Sequence, residues 1–409
     1  MIHVDVGERA RPARHARHAA LLQGAGLRTG EFRDELALLG HAEGHAPSLG
    51  GGRWTAAEAG SHRVPRFHGG GWGVPTASEE SVVPRALPIL TVAALAVALV
   101  GCSSADPDTT STPTDGATAD ARTCAASGPE SDAVSVTGDF GALPTVDFDA
   151  PLEPDTTQVS VVSDGTGEEV PYPSVISVDY SFYDGTTGDV IESTNFTSGE
   201  EAVFVLDESQ LLPGLLKTIE CAEVGSRVVG VSTSDDGFGD DGLEDYGIAG
   251  GDSLVFVVDI VSAVTRAEGE AQDPVAGMPT VELDADGAPT VTIPDDYTLP
   301  TTTQSAVLIQ GAGAQVQATD QVYIQYQGIN AETGEIFDQT WGRAPYGGSA
   351  SNFIAGFTNT LVGQNVGSQF LVVIPPADGY GEASDDNTNA LAGQTLVFVV
   401  DVLAAVPTA

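Results

Sequence analysis

The second half of the chain contains an ordered series of aromatic and small residues that could line a binding cleft. In order, the series reads Tyr326-Gln327-Gly328, Phe337-Asp338, Phe353-Ile354-Ala355-Gly356-Phe357, Tyr380-Gly381 and Leu396-Val397-Phe398. It has no nucleophile and no obvious proton shuttle. A concave apolar site with a few polar groups usually holds a small molecule or a peptide. Each aromatic residue taken singly would be ordinary core, so only the order and spacing favour a site.

The charge and histidine distribution restrict the chemistry further. The 409 residues include 58 acidic and 15 basic side chains, a formal charge of −43, and are 41 % hydrophobic, enough for real cores. This acidity argues against nucleic-acid binding, because phosphate recognition needs a basic surface. All seven histidines lie before residue 70. A Ser-His-Asp triad, a Cys-His pair or a histidine metal site is therefore impossible from Cys102 onward.

A short apolar segment in the first third of the chain is typical of a secretion signal. Residues 86–101 read ALPILTVAALAVALVG, behind Arg85 and ahead of Cys102. Sixteen residues are short for a membrane-spanning helix, although a buried helix ending in Gly-Cys is an alternative. The last residues resemble a bacterial lipobox, which implies lipidation of Cys102. We expect a signal peptide over 82–101 and an extracytoplasmic protein anchored to the cell membrane by lipid.

The residues on either side of this signal carry two further expectations. Residues 1–81 are rich in Arg, His and Gly without sustained periodicity. Because signal peptides are N-terminal, we expect the true start near Val82 or Val83 and a non-natural extension before it. The alternative is a cytoplasmic extension with an uncleaved anchor. Residues 102–123 are rich in Ser, Thr, Asp and Pro, which predicts a flexible tether.

Two cysteines, Cys124 and Cys221, remain in the chain after Cys102. Disulfides persist outside the cytoplasm, and an even pair in an oxidising compartment favours a bridge between them. Two free buried thiols are the alternative.

The chain after the tether is an internal duplication. The sequence LVFVVD at residues 254–259 recurs unchanged at residues 396–401, and Pro144-Thr145-Val146 recurs as Pro289-Thr290-Val291. Two repeats of about 145 residues predict two domains, over 124–264 and 265–409. Each copy contains several β-branched and aromatic runs and one short helix-like stretch, at 211–219 and 352–361. This pattern predicts the α+β class.

The ordered series of the second copy resembles the FKBP-type peptidyl-prolyl cis/trans isomerases. The family pattern is Y-x-G, F-D, V-I-x-G-W, V-G, I-P, Y-G and L-x-F, and this chain matches nearly every step over about 320–406. The resemblance implies two FKBP-like domains, each a twisted antiparallel sheet wrapped around a short helix. It also implies an apolar pocket for the proline ring between helix and sheet, and a reaction that needs no cofactor.

The resemblance also implies roles for individual residues of the second copy. The main-chain N–H of Ile354 would bond a substrate carbonyl, Asp338 would face the twisting amide, and the Tyr380 hydroxyl would donate. Tyr326 completes this catalytic set. The resemblance implies that Phe357 takes the floor position usually held by Trp and that Arg343 pairs with Asp338. The full substrate-binding set is Phe337, Arg343, Tyr346, Phe353, Phe357 and Phe398.

Two departures from the family pattern affect the second copy. The segment between Asp338 and Phe353 is short, which predicts a truncated pocket wall. The Ile-Pro that often precedes the last strand is absent, and residues 389–392 read NALA instead.

The first copy departs from the pattern further. Ile191-Glu192 replaces Phe-Asp, Leu215 replaces the aromatic floor, and Phe238-Gly239 replaces Tyr-Gly. We expect this copy to be weak or inactive, as a peptide-binding or spacer domain. Its acidic loop over 235–245 fits no calcium-loop spacing and is expected to be a solvated face, so we expect no metal site.

These observations predict a peptidyl-prolyl isomerase that assists the folding of secreted proteins at the outer face of the cytoplasmic membrane. Its expected partners are proline-containing unfolded or secreted polypeptides, tacrolimus-like ligands and the membrane, through its lipid, but not nucleic acid. A non-catalytic peptide-binding chaperone built on the same fold is the alternative.

Overall fold

The described part of the chain, residues 122–408 of the computed structural model, is dominated by two antiparallel sheets. The expected N-terminal extension, the signal peptide, Cys102 and nearly all of the tether lie outside the described residues. Within residues 122–408, no helix has both the length and the apolar character needed to cross a membrane.

The first domain begins with a small layer that covers one face of its sheet. Helix α1 (Pro129–Ala133) is followed by a hairpin of β1 (Ser135–Thr137) and β2 (Thr145–Asp147). Val134 and Leu152, which flank this hairpin, pack with Val229, Val231 and Val257 of the sheet. The hairpin therefore buries a face that would otherwise meet solvent.

The first sheet has six strands in the order β3-β7-β8-β4-β5, with β6 also paired to β4. The strands are β3 (Gln158–Ser163), β4 (Ser174–Asp184), β5 (Val190–Ser193), β6 (Ala202–Leu206), β7 (Arg227–Ser232) and β8 (Leu254–Val264). Helix α2 (Pro213–Ile219) packs on the face opposite the hairpin. Because both faces are covered, the central strand β8 reads as a nearly continuous apolar run, LVFVVDIVSAV, rather than an alternating one.

The second domain repeats this plan. Its seven-stranded sheet has the order β14-β13-β17-β16-β12-β9, with β15 paired to β13, and a separate hairpin of β10 and β11 covers one face. Helix α3 (Ala355–Leu361) covers the other face. The strands are β9 (Glu270–Ala271), β10 (Thr280–Leu283), β11 (Pro289–Thr292), β12 (Gln304–Gln310), β13 (Gln321–Asn330), β14 (Ile336–Gln339), β15 (Tyr346–Ser349), β16 (Gln369–Ile374) and β17 (Leu396–Val406). Two antiparallel sheets, each packed on one short helix, confirm the predicted fold class.

Both helices begin later than the sequence predicts. The predicted helices start at residues 211 and 352, whereas α2 starts at Pro213 and α3 at Ala355. Proline is favoured at the first helical position because its missing N–H would have no partner there. The two preceding residues, Leu212 and Ile354, have extended backbones and carry the chain from the sheet side into the helix.

The first domain is also held by a disulfide and a buried ion pair. Cys124 and Cys221 are joined, with an S–S distance of 1.99 Å. Arg227 and Asp259, both almost fully buried, form a two-bond ion pair at 2.5 and 2.7 Å. Arg227 also donates to the carbonyl of Gly138 in the hairpin loop. The pair therefore connects the hairpin to the sheet with charge-assisted hydrogen bonds.

Candidate active site

The predicted pocket residues of the second domain form a continuous cluster of rings between α3 and the sheet. Phe357 on α3 lies 4.5 Å from Phe353 in a stacked pair and 5.3 Å from Phe398 in an edge-on pair, measured between ring centroids. Phe337 meets Phe398 at 5.6 Å, and Tyr346 meets Phe353 at 5.6 Å. The structure thus brings together rings from β14, β15, β17, α3 and the residues before it.

Burial divides this cluster into a floor and a rim. Phe357, Phe398 and Ile354 are buried, at 2 %, 5 % and 9 % exposure. The rings that remain half-buried around them are Tyr326, Phe337, Tyr346, Phe353 and Tyr380. A floor of buried rings with a partly exposed aromatic rim can accept an apolar ring of about the size of a proline.

Gly328 makes room for this arrangement, and the sequence reasoning assigned it no role. It pairs with Phe398 on β17 and with Asp338 on β14. A Cβ placed on Gly328 would come within 2.6 Å of the Phe337 ring and 2.8 Å of the Phe398 ring. Only a residue without a side chain allows both rings to approach. In the first copy the equivalent residue is Phe182. This difference between the two copies is the signal in the sequence that could have revealed the role of Gly328.

Asp338 is held at the rim by two donors. The Tyr326 hydroxyl donates to one carboxylate oxygen and Arg343 donates to the other at 2.7 Å. Arg343 also donates to the carbonyl of Gln339. With side chains 61 % and 40 % exposed, the ion pair contributes only roughly 0–1 kcal/mol of stability. Its main effect is to orient the carboxylate beside the aromatic floor.

Two tyrosines of the site are kept protonated. Burial, reinforced by the hydrogen bond to Asp338, raises the pKa of Tyr326 far above its ordinary value of 10.0. Burial and the nearby Asp338 charge raise the pKa of Tyr380 to about 12. Both phenols are therefore donors at neutral pH.

Tyr380 and Ile354 are the two donors that could serve a bound peptide. The Tyr380 hydroxyl oxygen is buried and has no hydrogen-bond partner within the described residues. A buried unpaired hydroxyl costs about 1–3 kcal/mol, which a bound carbonyl would offset. Asn387 donates to the Tyr380 carbonyl at 2.9 Å and so steadies the backbone that carries the ring. Ile354 immediately precedes α3, and its carbonyl accepts the first bond of that helix.

The short segment between Asp338 and Phe353 still supplies part of the pocket wall. After a turn closed by the Arg343 N–H and the Thr340 carbonyl, the chain enters β15 and pairs with β13. This pairing brings Tyr346 to the rim. The loss of four residues relative to the first copy therefore shortens the wall without removing its aromatic side chain.

The corresponding cleft of the first domain is filled by its own side chains. Phe182, at the position of Gly328, stacks on Phe256 with centroids 4.9 Å apart and planes 2° apart. Both rings are at most 1 % exposed, and Leu215 packs in the same cluster. The Phe182 ring therefore packs on Phe256 in the region where the second domain places the Phe337 ring against Phe398.

The polar groups of that filled cleft are only partly retained. Tyr180 is hydrogen-bonded to Glu192, and burial followed by the Glu192 charge raises the pKa of Tyr180 well above its ordinary value. Phe238 stands in place of Tyr380 and has no hydroxyl to donate.

In the acidic loop over 235–245, Asp236 accepts two hydrogen bonds from Lys217 and one from Thr157. Among residues 122–408, no group of three or more His, Cys, Asp or Glu is arranged to hold a metal ion.

Comparisons with known proteins identify one family in both halves of the duplicated region. The model of the FKBP-type peptidyl-prolyl cis-trans isomerase family matches residues 168–261 and 313–403. A probable FK506-binding protein of Corynebacterium glutamicum is 36 % identical over 103 residues, which cover 24 % of this chain and 82 % of that protein. An FK506-binding protein of Streptomyces anulatus is 32 % identical over 98 residues, covering 23 % and 79 %.

A solved structure of a three-domain protein also matches part of the chain. The crystal structure of the three FKBP domains of wheat FKBP73 matches at 19 % identity and a TM-score of 0.28, covering 61 % of this chain and 95 % of that one. With a family match in each half, and a relative 36 % identical over most of its own length, the chain belongs to the FKBP-type peptidyl-prolyl cis-trans isomerases.

Proposed function

We propose that the second domain carries the isomerase activity and that the first domain does not. One observation supports this division: Gly328 makes room for the Phe337 and Phe398 rings beside a half-buried aromatic rim in the second domain, whereas Phe182 and Phe256 are stacked and fully buried in the first. The second domain also keeps the acid at Asp338 and the Tyr380 hydroxyl, which has no hydrogen-bond partner among residues 122–408.

The proposed mechanism lowers the barrier to rotation about the prolyl amide without covalent chemistry. That barrier is about 18–20 kcal/mol, because twisting the bond breaks its resonance. The twisted amide is less dipolar than the planar one, so an apolar pocket over Phe357 and Phe398 favours it. The Ile354 N–H and the Tyr380 hydroxyl would hold peptide carbonyls on either side, and Asp338 would face the rotating bond.

We propose that the clients are proline-containing polypeptides that fold outside the cytoplasm. The lipobox-like sequence ending at Cys102 supports a lipid anchor at the outer face of the cell membrane. The disulfide between Cys124 and Cys221 supports an oxidising compartment, where such bonds persist. Because two relatives carry the name FK506-binding protein, tacrolimus-like ligands are proposed for the same pocket.

The catalytic assignment is tested by a protease-coupled or NMR-exchange assay of prolyl isomerisation on the complete chain. Asp338→Ala and Tyr380→Phe should each lower kcat/KM at least tenfold, a change of about 1.4 kcal/mol in transition-state stabilisation. The matched control is Glu192→Ala in the first domain, which should leave kcat/KM unchanged. If the control lost as much activity as the second-domain variants, the assignment would be wrong. A folded, inactive wild type that still binds proline peptides would identify a non-catalytic chaperone module instead.

The anchor is tested separately by fractionating cells that express the chain. Wild type should be found with the membranes and should incorporate a labelled fatty acid, whereas Cys102→Ala should incorporate none. Fatty-acid labelling of Cys102→Ala equal to that of wild type would contradict lipidation at that residue.

A further inference from the structure

We propose that the first domain positions the active-site loop of the second domain, defined here as residues 340–347. This inference rests on the proposed function, in which the second domain is the catalytic one. It gives the first domain, whose own cleft is filled, a role in the activity of its partner domain.

The two domains share a buried apolar cluster. Val175 on β4 and Val205 on β6 pack in one cluster with Tyr323 on β13 and Leu403 on β17. All four side chains are between 1 % and 6 % exposed. Ala344, in the active-site loop, packs against the same cluster. The loop is thus in direct apolar contact with the interface between the domains.

A hydrogen bond across the interface sets the position of the tyrosine. The Tyr323 hydroxyl donates to the carbonyl of Val203 on β6, at 3.0 Å. Burial raises the pKa of Tyr323 to about 12, so the hydroxyl remains a donor at neutral pH. The Tyr323 ring also lies against the last residue of the loop, because a Cβ on Gly347 would be only 3.1 Å from the ring.

The opposite side of the loop faces the aromatic pocket. Arg343, next to Ala344, donates to the Asp338 carboxylate. Tyr346, next to Gly347, packs on Phe353 at the rim. Each residue that contacts the interface is therefore the chain neighbour of one that shapes the site. A shift of the loop at the interface must move Arg343 and Tyr346 with it, because adjacent Cα atoms are held about 3.8 Å apart.

The connection between the domains is itself tied to the second sheet. The first sheet ends at Val264, and the N–H of Ala267 already donates to the buried carboxylate of Asp401 at 2.7 Å. β9 then pairs with β12. The linker is therefore short and is hydrogen-bonded to the second sheet. The Tyr323 cluster is thus held between two domains that the linker also keeps together.

The test uses Tyr323→Phe in the complete chain, which removes the hydroxyl and retains the ring. The matched control is Tyr297→Phe, whose hydroxyl has no hydrogen-bond partner within the described residues and lies outside both the cluster and the pocket. Two quantities are measured: kcat and KM for a proline peptide, and hydrogen exchange of the amides at 340–347 by mass spectrometry. Tyr323→Phe should lower kcat/KM at least threefold and speed exchange in the loop, while Tyr297→Phe changes neither.

A double-mutant cycle separates positioning from general destabilisation. If Tyr323 acts through the loop, its substitution should have little further effect on kcat/KM in the Arg343→Ala background, because coupled residues are non-additive. Full additivity of the two changes would overturn the proposal. Unchanged exchange at 340–347 in Tyr323→Phe would also overturn it, even if the wild type proved inactive. An inactive wild type in which Tyr323→Phe still speeds exchange at 340–347 refutes only the proposed function.

Discussion

A buried carboxylate in the second domain should make the stability of that domain fall as the pH rises. Asp401 on β17 is the counterpart of Asp259 on β8, but the arginine that pairs with Asp259 is replaced by Gln369. Asp401 therefore accepts bonds from the Gln369 side chain and the Ala267 N–H, with no paired cation among those contacts. The test perturbation is Asp401→Asn, which keeps the shape and removes the charge.

The magnitude follows from the pKa of Asp401. Burial raises this pKa from 3.8 to about 6, against smaller opposing effects of the Ala267 and Gln369 hydrogen bonds and the Arg266 charge. A raised carboxyl pKa means that the folded domain binds the proton more tightly than the unfolded chain. The stabilisation is complete below pH about 4 and is lost as the pH rises through about 6. Two pKa units correspond to about 3 kcal/mol.

The assay is urea unfolding followed by the fluorescence of Trp341, with Trp54→Phe and Trp72→Phe present so that one tryptophan remains. The unfolding free energy is measured at several pH values from 4 to 7.5 for wild type and Asp401→Asn. The difference between them should shift by about 3 kcal/mol in favour of the variant as the pH rises. A difference that stays constant over this range would refute the reasoning, because all other carboxylates titrate equally in both proteins.

The first domain supplies the matched control. Asp259→Asn leaves the buried Arg227 guanidinium without its carboxylate. It should destabilise the first domain by about 3–5 kcal/mol at neutral pH, as expected for one broken partner of a buried ion pair. Circular dichroism unfolding curves measure this change, and a loss similar to that of Asp401→Asn would contradict the contrast between the two copies.

Three further predictions concern the cleft and the disulfide. Gly328→Ala should lower kcat/KM at least tenfold and cost about 1–3 kcal/mol of stability, since its Cβ would overlap the Phe337 and Phe398 rings; normal activity in the coupled assay would contradict this. Phe182→Ala should cost about 3–5 kcal/mol in urea unfolding without adding isomerase activity from the first domain. Cys221→Ser should destabilise the first domain by about 2–5 kcal/mol, measured by thermal unfolding, and reduction of the wild type should reproduce the loss.

Much of the fold could be predicted from local patterns and from the duplication. β-branched runs mark the central strands, and the repeat of LVFVVD marks equivalent strands β8 and β17. The helix starts were predicted two and three residues too early, because the extended residues just before Pro213 and Ala355 are as apolar as the helices themselves. The hairpins that cover the outer faces of the sheets were also missed, since they are short and pack only against residues distant in sequence.

The candidate site could be predicted because its residue types follow a fixed order along the chain. That order is enough to propose Asp338 and Tyr380 together with an aromatic floor, since adjacent strands and one helix bring such residues to the same place. It does not reveal that the Tyr380 hydroxyl has no partner within the described residues or that Tyr326 is bonded to Asp338. Hydrogen bonding depends on side-chain directions, which follow from packing and not from spacing.

The sequence by itself determined the two-domain repeat, the fold class, the family resemblance and the contrast between a well-matched and a poorly matched copy. Only the tertiary structure decided why the copies differ physically: Gly328 makes room for the Phe337 and Phe398 rings, whereas Phe182 stacks on Phe256 in the first copy. It also decided that Tyr323 bonds across the domain interface and that Asp401 is buried beside the linker. These features join residues from 120 to 134 positions apart. Contacts at such separations depend on how whole sheets pack, and no local pattern in the chain encodes them.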